Sequence, residues 1–398
     1  MDITIQPGAL RGTIRAIPSK SQAHRLLICS AFADKPTKLI CPQTNQDIEA
    51  TAQCLQALGA DIVRTVDGYS VTPICKVPNE AILNCRESGS TLRFMLPIAG
   101  ALGVSATFQM AGRLSARPLS PLWEEMEKMG CTLTRPTADT LLCTGKLSAG
   151  NYTIDGGVSS QYITGLLFAT ALIPGNSTLT ITGKIESAPY IEMTRQALSI
   201  FGVSTVKNQI SGSFPFCSPT QLEVEGDWSN GAFFLAANAI GSHLTIEGLN
   251  ENSPQGDRAV SEILAQMNEH ITVNAADIPD LVPILSVAAA ARSGAIFTNI
   301  QRLRLKESDR VASVIAMLSA LGIQAEATDS TLTVYPGKIT GGIVDAVNDH
   351  RIAMSAAIAA TVASGPVTIL GAQCVAKSYP TFWEEFSRLG GNYEQYIR

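Results

Sequence analysis

At 398 residues the chain is too long for one ordinary hydrophobic core, and 45% hydrophobic against 16% charged residues excludes a disordered protein. No stretch approaches the roughly eighteen uninterrupted apolar residues of a membrane span, and a net charge of −5 excludes nucleic acid or an anionic membrane as a partner on average composition. Any anion site must be local. The opening MDITIQPGALRG has neither the basic nor the apolar region of a secretory signal, so a cytoplasmic location is expected. Nine cysteines without a C-x-x-C pair read as reduced core thiols, and four histidines supply a metal site poorly, so no metal and no cofactor are expected.

One pattern recurs along the chain: a short polar cluster, an apolar Ala- and Leu-rich helical run, then a turn and a strand-like stretch. Its copies begin KSQAHRLLICSAFA at Lys20, SGSTLRFMLPIAGAL at Ser88, SSQYITGLLFATAL at Ser159, WSNGAFFLAANAI at Trp228, PDLVPILSVAAAA at Pro279 and DHRIAMSAAIAATVA at Asp349. Starts lie about 70 residues apart except for one interval of about 50. Between them fall amphipathic helices, DIEATAQCLQALGA, PLWEEMEKMG, YIEMTRQALSIFG and RVASVIAMLSALG, each ending at a Gly suited to a left-handed cap. Each unit reads as strand, buried helix, strand, surface helix, hairpin. Six units divide into two halves of three, with the passage at LEVEGDWSNG around residues 222 to 231. The fold class is α/β, with the all-apolar helices inside each half.

A buried helix leaves its first N–H groups unpaired and carries partial positive charge there, which favours phosphate and carboxylate. The starts hold Lys20, Ser21 and Arg25; Ser90, Thr91 and Arg93; Ser159, Ser160 and Gln161; Asp280; and Asp349, His350 and Arg351. The fourth start, with Ser229 and Asn230, shows only capping residues. Ser, Asp and Asn at such places are ordinary caps, but Lys or Arg in a first turn opposes the helix dipole, and its recurrence at three starts calls for a compensating anion. Arg113 with Arg117, and Lys306 with Glu307 and Arg310, add two basic loop clusters that, taken singly, would read as solvated surface.

These residues fall in PSKSQAHR (18 to 25), SGSTLR (88 to 93), GRLSARP (112 to 118), SSQY (159 to 162), SAPY (187 to 190), IPD (278 to 280), RLKESDR (304 to 310), NDHR (348 to 351) and AKSYP (376 to 380). In that order and spacing the whole chain resembles the 5-enolpyruvylshikimate-3-phosphate synthases (3-phosphoshikimate 1-carboxyvinyltransferases). The resemblance implies two similar domains of three βαβαββ-type repeats, an inside-out α/β barrel arrangement with buried parallel helices and an active-site cleft between the halves. One domain is expected to comprise residues 1–17 and 226–398 on the phosphoenolpyruvate side, the other 18–225 on the shikimate 3-phosphate side. For shikimate 3-phosphate the resemblance implies Lys20, Ser21, Arg25, Ser159, Ser160, Gln161, Ser187, Asp280 and Lys306. For phosphoenolpyruvate it implies Lys20, Gly89, Arg113, Gln161, Arg310, Arg351 and Lys377. Departures from better-known members are His24 where Asn is common, Glu87 where Asn is frequent, Phe94 where Pro is often seen and Ala188 in place of Lys.

The implied reaction adds the 5-hydroxyl of shikimate 3-phosphate to C2 of phosphoenolpyruvate while C3 gains a proton; the tetrahedral species then expels phosphate as C3 gives a proton back. Asp280 is the expected base for the hydroxyl and Glu307 the proton donor and acceptor at C3. Lys20, with Lys377, stabilises the leaving phosphate. Two other readings use the same features. A UDP-N-acetylglucosamine enolpyruvyl transferase usually carries a Lys-Asn pair near its start and a loop Cys or Asp, whereas this chain has SKSQAHR and no such residue from Arg113 to Pro118. A non-catalytic phosphoanion-binding protein gains nothing from Asp280 and Glu307. A monomer is expected, open when empty and closed by its substrate anions.

Overall fold

The computed structural model describes residues 1–396 apart from 207 and 213. The chain separates into two compact units, Pro18–Val224 and a second that joins Met1–Ile17 to Glu225–Arg398. Strands β1 (Asp2–Gln6) and β2 (Arg11–Arg15) open the chain in the latter. The Pro18–Val224 unit then contains α1 (Lys20–Ala31), β3 (Thr37–Ile40), α2 (Gln46–Ala57), β4 (Asp61–Thr65) and β5 (Gly68–Thr72). It continues with β6 (Glu80–Arg86), α3 (Gly89–Leu102), β7 (Ser105–Met110), α4 (Leu122–Lys128), β8 (Cys131–Thr137) and β9 (Thr140–Gly145). It ends with β10 (Asn151–Asp155), α5 (Ser160–Leu172), β11 (Gly175–Thr182), α6 (Ala188–Ile200), β12 (Thr205–Val206), β13 (Gln209–Gly212) and β14 (Gln221–Glu223).

The rest of the other unit holds α7 (Trp228–Ala239), β15 (His243–Glu247), α8 (Val260–Gln266), β16 (Ile271–Asn274), α9 (Val282–Ala291), β17 (Ala295–Thr298) and α10 (Arg310–Ala320). After these come β18 (Ala325–Ala327), β19 (Thr331–Val334), β20 (Gly342–Asp345), α11 (His350–Ala360), β21 (Val367–Leu370), α12 (Phe382–Arg388) and β22 (Asn392–Tyr396).

Five sheets share one plan, β14-β3-β5-β4, β6-β7-β9-β8, β10-β11-β13-β12, β16-β17-β19-β18 and β20-β21-β1-β22, in which a parallel pair is followed by antiparallel neighbours. Each parallel pair is bridged by one of the apolar helices or, for β14 and β3, by a strand that returns from far along the chain. The fourth repeat departs from the expected pattern: among the described residues β2 pairs only with β15, from His243↔Arg11 to Glu247↔Arg15, and no hairpin follows α8. The missing hairpin accounts for the short interval between the fourth and fifth starts. The sheets stay separate, and among the described residues none closes into a barrel.

Burial follows side-chain character. Helix α11 is buried along its whole length, and α3, α5 and α9 nearly so, whereas α2, α6 and α10 bury one stripe. Each unit thereby has its own core of Leu, Ile, Val, Ala and Phe around its apolar helices. Gly59, Gly130, Gly202 and Gly322 follow the amphipathic helices with positive φ, as the cap pattern requires. Helices α3 and α5 pack closely: a Cβ on Gly165 would sit 2.2 Å from the Arg93 carbonyl, the one that Pro97 has no N–H to bond.

All nine cysteines are free thiols and seven are buried; burial pushes Cys41 up to about 12, so it stays protonated and packs as a small apolar group. Among the described residues no His, Cys, Asp and Glu cluster is placed to hold a metal ion, and no helix is long and apolar enough to cross a membrane.

Candidate active site

In the Pro18–Val224 unit the polar groups gather at the N-termini of α1, α3 and α5. Ser19 caps α1, Ser88 caps α3 and Ser159 caps α5, each hydroxyl accepting a backbone N–H of its first turn. Ser159 is therefore a cap as well as a candidate ligand, while Ser160 begins the helix and is buried. Lys20, the first residue of α1, is held by Asp47 of α2, with Nζ 2.9 Å from Oδ2. Gln161 accepts from Arg93 Nη1 at 2.8 Å and donates through Nε2 to Ser90 Oγ at 2.9 Å, tying α5 to the start of α3.

Arg25 is buried, 2% exposed, and holds three helices together. Its Nη1 donates to the Ser21 carbonyl within α1, Nε to Thr194 Oγ1 and Nη2 to the Tyr190 carbonyl of α6, at 2.6, 2.9 and 2.9 Å, and Nη2 also to Thr164 Oγ1 of α5 at 3.3 Å. Burial draws its guanidinium down to about 10, which leaves it charged at neutral pH. Much of its hydrogen bonding is thus spent on protein groups. Two residues that depart from family habit pack beside it: Phe94 lies under the Arg25 guanidinium at 5.2 Å, and His24 meets the Phe94 edge at 6.2 Å. His24 donates or accepts at Thr51 Oγ1 (2.7 Å), and burial, then Lys20 and Arg25, hold its imidazole well below the ordinary value, hence neutral.

Gly89, the first residue of α3, has two guanidinium groups against it. A Cβ there would lie 2.7 Å from Arg117 Nη1 and 2.8 Å from Arg93 Nη1. Arg113, in a short turn of 3-10 helix (Gly112–Ala116), is exposed, whereas Arg117 is half-buried and nearer to Gly89. Ser187, just ahead of α6, is buried with φ +57°, a left-handed conformation that an L-residue adopts at a cost and that clusters at binding sites.

The second unit brings its candidates into one cluster around Arg310, the first residue of α10. This side chain is 1% exposed and reaches three carboxylates: Nη1 to Asp280 Oδ1 at 2.6 Å, Nη2 to Glu307 Oε2 at 2.7 Å and Nε to Asp349 Oδ2 at 2.9 Å. Lys306 Nζ lies 3.3 Å from the same Asp280 oxygen, and Arg351 Nη2 lies 3.5 Å from its other oxygen. Asp349 is fully buried, caps α11 through the Arg351 N–H and accepts from Ser308 Oγ at 2.9 Å.

Burial works against both Asp349 and Arg310, but their mutual attraction outweighs it: the carboxylate is held below its ordinary value and the guanidinium well above. Burial lowers Lys306 to about 8, with Asp280 opposing and Arg310 and Arg302 adding to the shift. Lys377 is buried and donates to the Asn348 carbonyl at 2.8 Å, where Val347 and Asn348 both have positive φ immediately before α11. Lys377, Arg351 and Asp349 are thus all fixed at the start of one helix.

Sequence reasoning missed three acids that set this geometry. Asp47 in the first turn of α2 looks like any helix-initiating acid, yet it holds Lys20. Asp349 was legible as a helix start but not as the anchor of Arg310. Asp257 had no motif signal, yet it is buried beside Ser229, whose hydroxyl bonds it. The expected capping by Ser229 and Asn230 is corrected, since Asp227 caps α7 through the Asn230 N–H.

The family model described as EPSP synthase (3-phosphoshikimate 1-carboxyvinyltransferase) matches residues 5–386. The 3-phosphoshikimate 1-carboxyvinyltransferase of Clostridium acetobutylicum is 36% identical over 99% of this chain and 98% of its own length. That of Clostridium kluyveri is 35% identical with the same coverage. Among solved structures, an EPSP synthase from Acinetobacter baumannii superposes with a TM-score of 0.80 at 26% identity, covering 99% of this chain and all of that one. With its ion-paired helix ends and these full-length likenesses, the chain belongs to the EPSP synthase (3-phosphoshikimate 1-carboxyvinyltransferase) family.

Proposed function

We propose that this chain transfers the 1-carboxyvinyl group of phosphoenolpyruvate to the 5-hydroxyl of shikimate 3-phosphate and releases phosphate. The observation that carries the reading is the buried Arg310 shared by Asp280, Glu307 and Asp349, with Lys306 and Arg351 on the same Asp280 carboxylate. A protein that only captured anions would place no carboxylates there, because each repels the ligand; a catalyst of addition and elimination needs proton carriers beside cations. Asp280 and Glu307 are 22% and 24% exposed, so each keeps a face open to a reactant, whereas Asp349 keeps none.

In this reading Asp280 takes the proton of the attacking hydroxyl, and Glu307 protonates C3 as the C–O bond forms at C2. Glu307 then recovers a proton from C3 while the C2–O bond to phosphate breaks. Arg310 and Arg351 present forks to the carboxylate or phosphate of phosphoenolpyruvate, and Lys20 and Lys377 neutralise the departing phosphate. Ser21, Arg25, Ser159, Ser160, Gln161, Ser187 and Lys306 serve shikimate 3-phosphate, and Gly89, Gln161 and Arg113 serve phosphoenolpyruvate. Gly89 lies against Arg117 and Arg93, which supports adding that pair to the anion's partners. The Pro18–Val224 unit supplies most partners of shikimate 3-phosphate. Free, buried thiols fit a reducing compartment, and action as a cytoplasmic monomer completes the reading.

The test is acceptor dependence. Phosphate release from phosphoenolpyruvate is expected with shikimate 3-phosphate and absent with UDP-N-acetylglucosamine; the reverse pattern sinks the assignment.

A further inference from the structure

Asp257 sits in a short 3-10 turn (Gly256–Ala259) between β15 and α8 and is 1% exposed. One carboxylate oxygen accepts from Ser229 Oγ of α7, while the other, Oδ1, is buried without a hydrogen-bond partner. A buried carboxylate left half-paired is unfavourable in its charged form. Ser229 also offers its backbone carbonyl to Arg351 Nη1 at 3.4 Å, and the other Nη of Arg351 lies 3.5 Å from Asp280. The groups whose charge acts on Asp257 are Asp280 from the loop ahead of α9, Arg351 from α11 and Asp227 at the cap of α7. Burial, then Asp280, raise the Asp257 carboxyl to about 7, with Arg351 and the Ser229 hydroxyl opposing.

We propose that Asp257 is a positioning residue for Arg351, coupled to it through Ser229, and that it exchanges a proton when an anion binds to Arg351. The inference rests on the phosphoenolpyruvate reading of the site. Ionised, Asp257 adds a second carboxylate to the field around Arg351 and weakens its hold on an anion. Protonated, it leaves the Arg351 charge to Asp280 and the incoming carboxylate or phosphate. Conversely, an anion arriving at Arg351 raises the proton affinity of Asp257, so binding takes up a proton. The shift lies in the neutral range because burial and Asp280 already favour the protonated form.

The experiment measures KM for phosphoenolpyruvate at saturating shikimate 3-phosphate across the neutral range for the wild type, Asp257→Asn and Ser229→Ala. In the wild type KM rises about tenfold as Asp257 ionises, the effect of about one pKa unit of coupling. Asp257→Asn flattens that step and leaves only the shallower change from Lys306 near 8. Ser229→Ala removes the hydroxyl that favours the carboxylate and moves the step to higher pH, an arm that survives if the Asn variant folds poorly. In both variants kcat shifts less than KM. An Asp257→Asn enzyme that keeps the wild-type step, or loses kcat in proportion at every pH, overturns the inference while leaving the site reading intact. A wild type that releases no phosphate with both substrates overturns the site reading and the inference with it.

Discussion

Replacing Arg310 by Lys keeps one positive charge at the centre of the carboxylate cluster but removes the fork that divides it. Arg310 makes directed contacts of 2.6, 2.7 and 2.9 Å to Asp280, Glu307 and Asp349, and a single ammonium cannot reproduce that planar, three-way geometry. The fully buried Asp349 has the least alternative solvation and retains the cation most strongly, so Asp280 and Glu307 lose theirs. A hydrogen bond to a charged group contributes about 1.5–3 kcal/mol, so two lost contacts cost on the order of 3–6 kcal/mol, divided between folding and the transition state. If half falls on catalysis, kcat/KM drops about 10- to 100-fold or more, and urea unfolding shows a loss of about 1.5–3 kcal/mol. Phosphate release under initial-rate conditions, paired with the unfolding curve, reads both parts. A Lys variant within threefold of the wild type in kcat/KM and equal to it in stability would refute the idea that Arg310 organises the two open carboxylates.

Three further substitutions probe other parts of the structure. Asp349→Asn loses stability that is fully present above the ordinary carboxylate value and disappears as pH falls through the lower native one; the deficit in urea unfolding is therefore largest near neutral pH and shrinks in acid. Gly165→Ala forces a Cβ to within 2.2 Å of the Arg93 carbonyl, so α5 must shift from α3; about 1–3 kcal/mol of stability is lost, and KM for shikimate 3-phosphate rises as Ser160 and Gln161 move with the helix. Gly89→Ala meets the ends of flexible side chains instead, 2.7 and 2.8 Å from Arg117 and Arg93, so stability changes by less than about 1 kcal/mol while KM for phosphoenolpyruvate rises severalfold. Equal KM for the Gly89 pair, or a stable Gly165 variant with unchanged kinetics, would contradict the placement of those helix ends.

The six apolar helices were legible because an all-round hydrophobic run of 10 to 14 residues can only be interior, and their polar starts mark where backbone N–H groups need partners. The amphipathic helices and their terminal glycines followed from local chemistry as well. Long-range pairing was not legible: β1 lies between β21 and β22, and β14 joins β3 from about 180 residues away, and nothing in DITIQ or QLE names those partners. The missing hairpin of the fourth repeat left only a shortened interval as its trace.

At the site, Lys and Arg in first turns stood out because they oppose the helix dipole, and Lys20 and Arg351 among them have acidic partners, whereas Arg310 read as part of a basic loop cluster and proves to be the first residue of α10. Those partners did not stand out. Asp47 and Asp349 occupy positions where an acid is ordinary helix chemistry, and Asp257 lies in a turn with no periodic pattern, so only three-dimensional placement distinguishes them. Arg25 shows the opposite limit, because its motif suggests a ligand-binding residue while its contacts with Thr194, Tyr190 and Ser21 also make it a brace between helices.

Running the reaction in deuterium oxide and weighing the product separates proton traffic at C3 from every simpler use of these carboxylates. Glu307 exchanging with solvent predicts deuterium in the vinyl methylene of the enolpyruvyl product, dependent on shikimate 3-phosphate, with product formation collapsing in Glu307→Gln. Product whose methylene hydrogens all come from the original phosphoenolpyruvate, formed at an undiminished rate by the Gln variant, would contradict it.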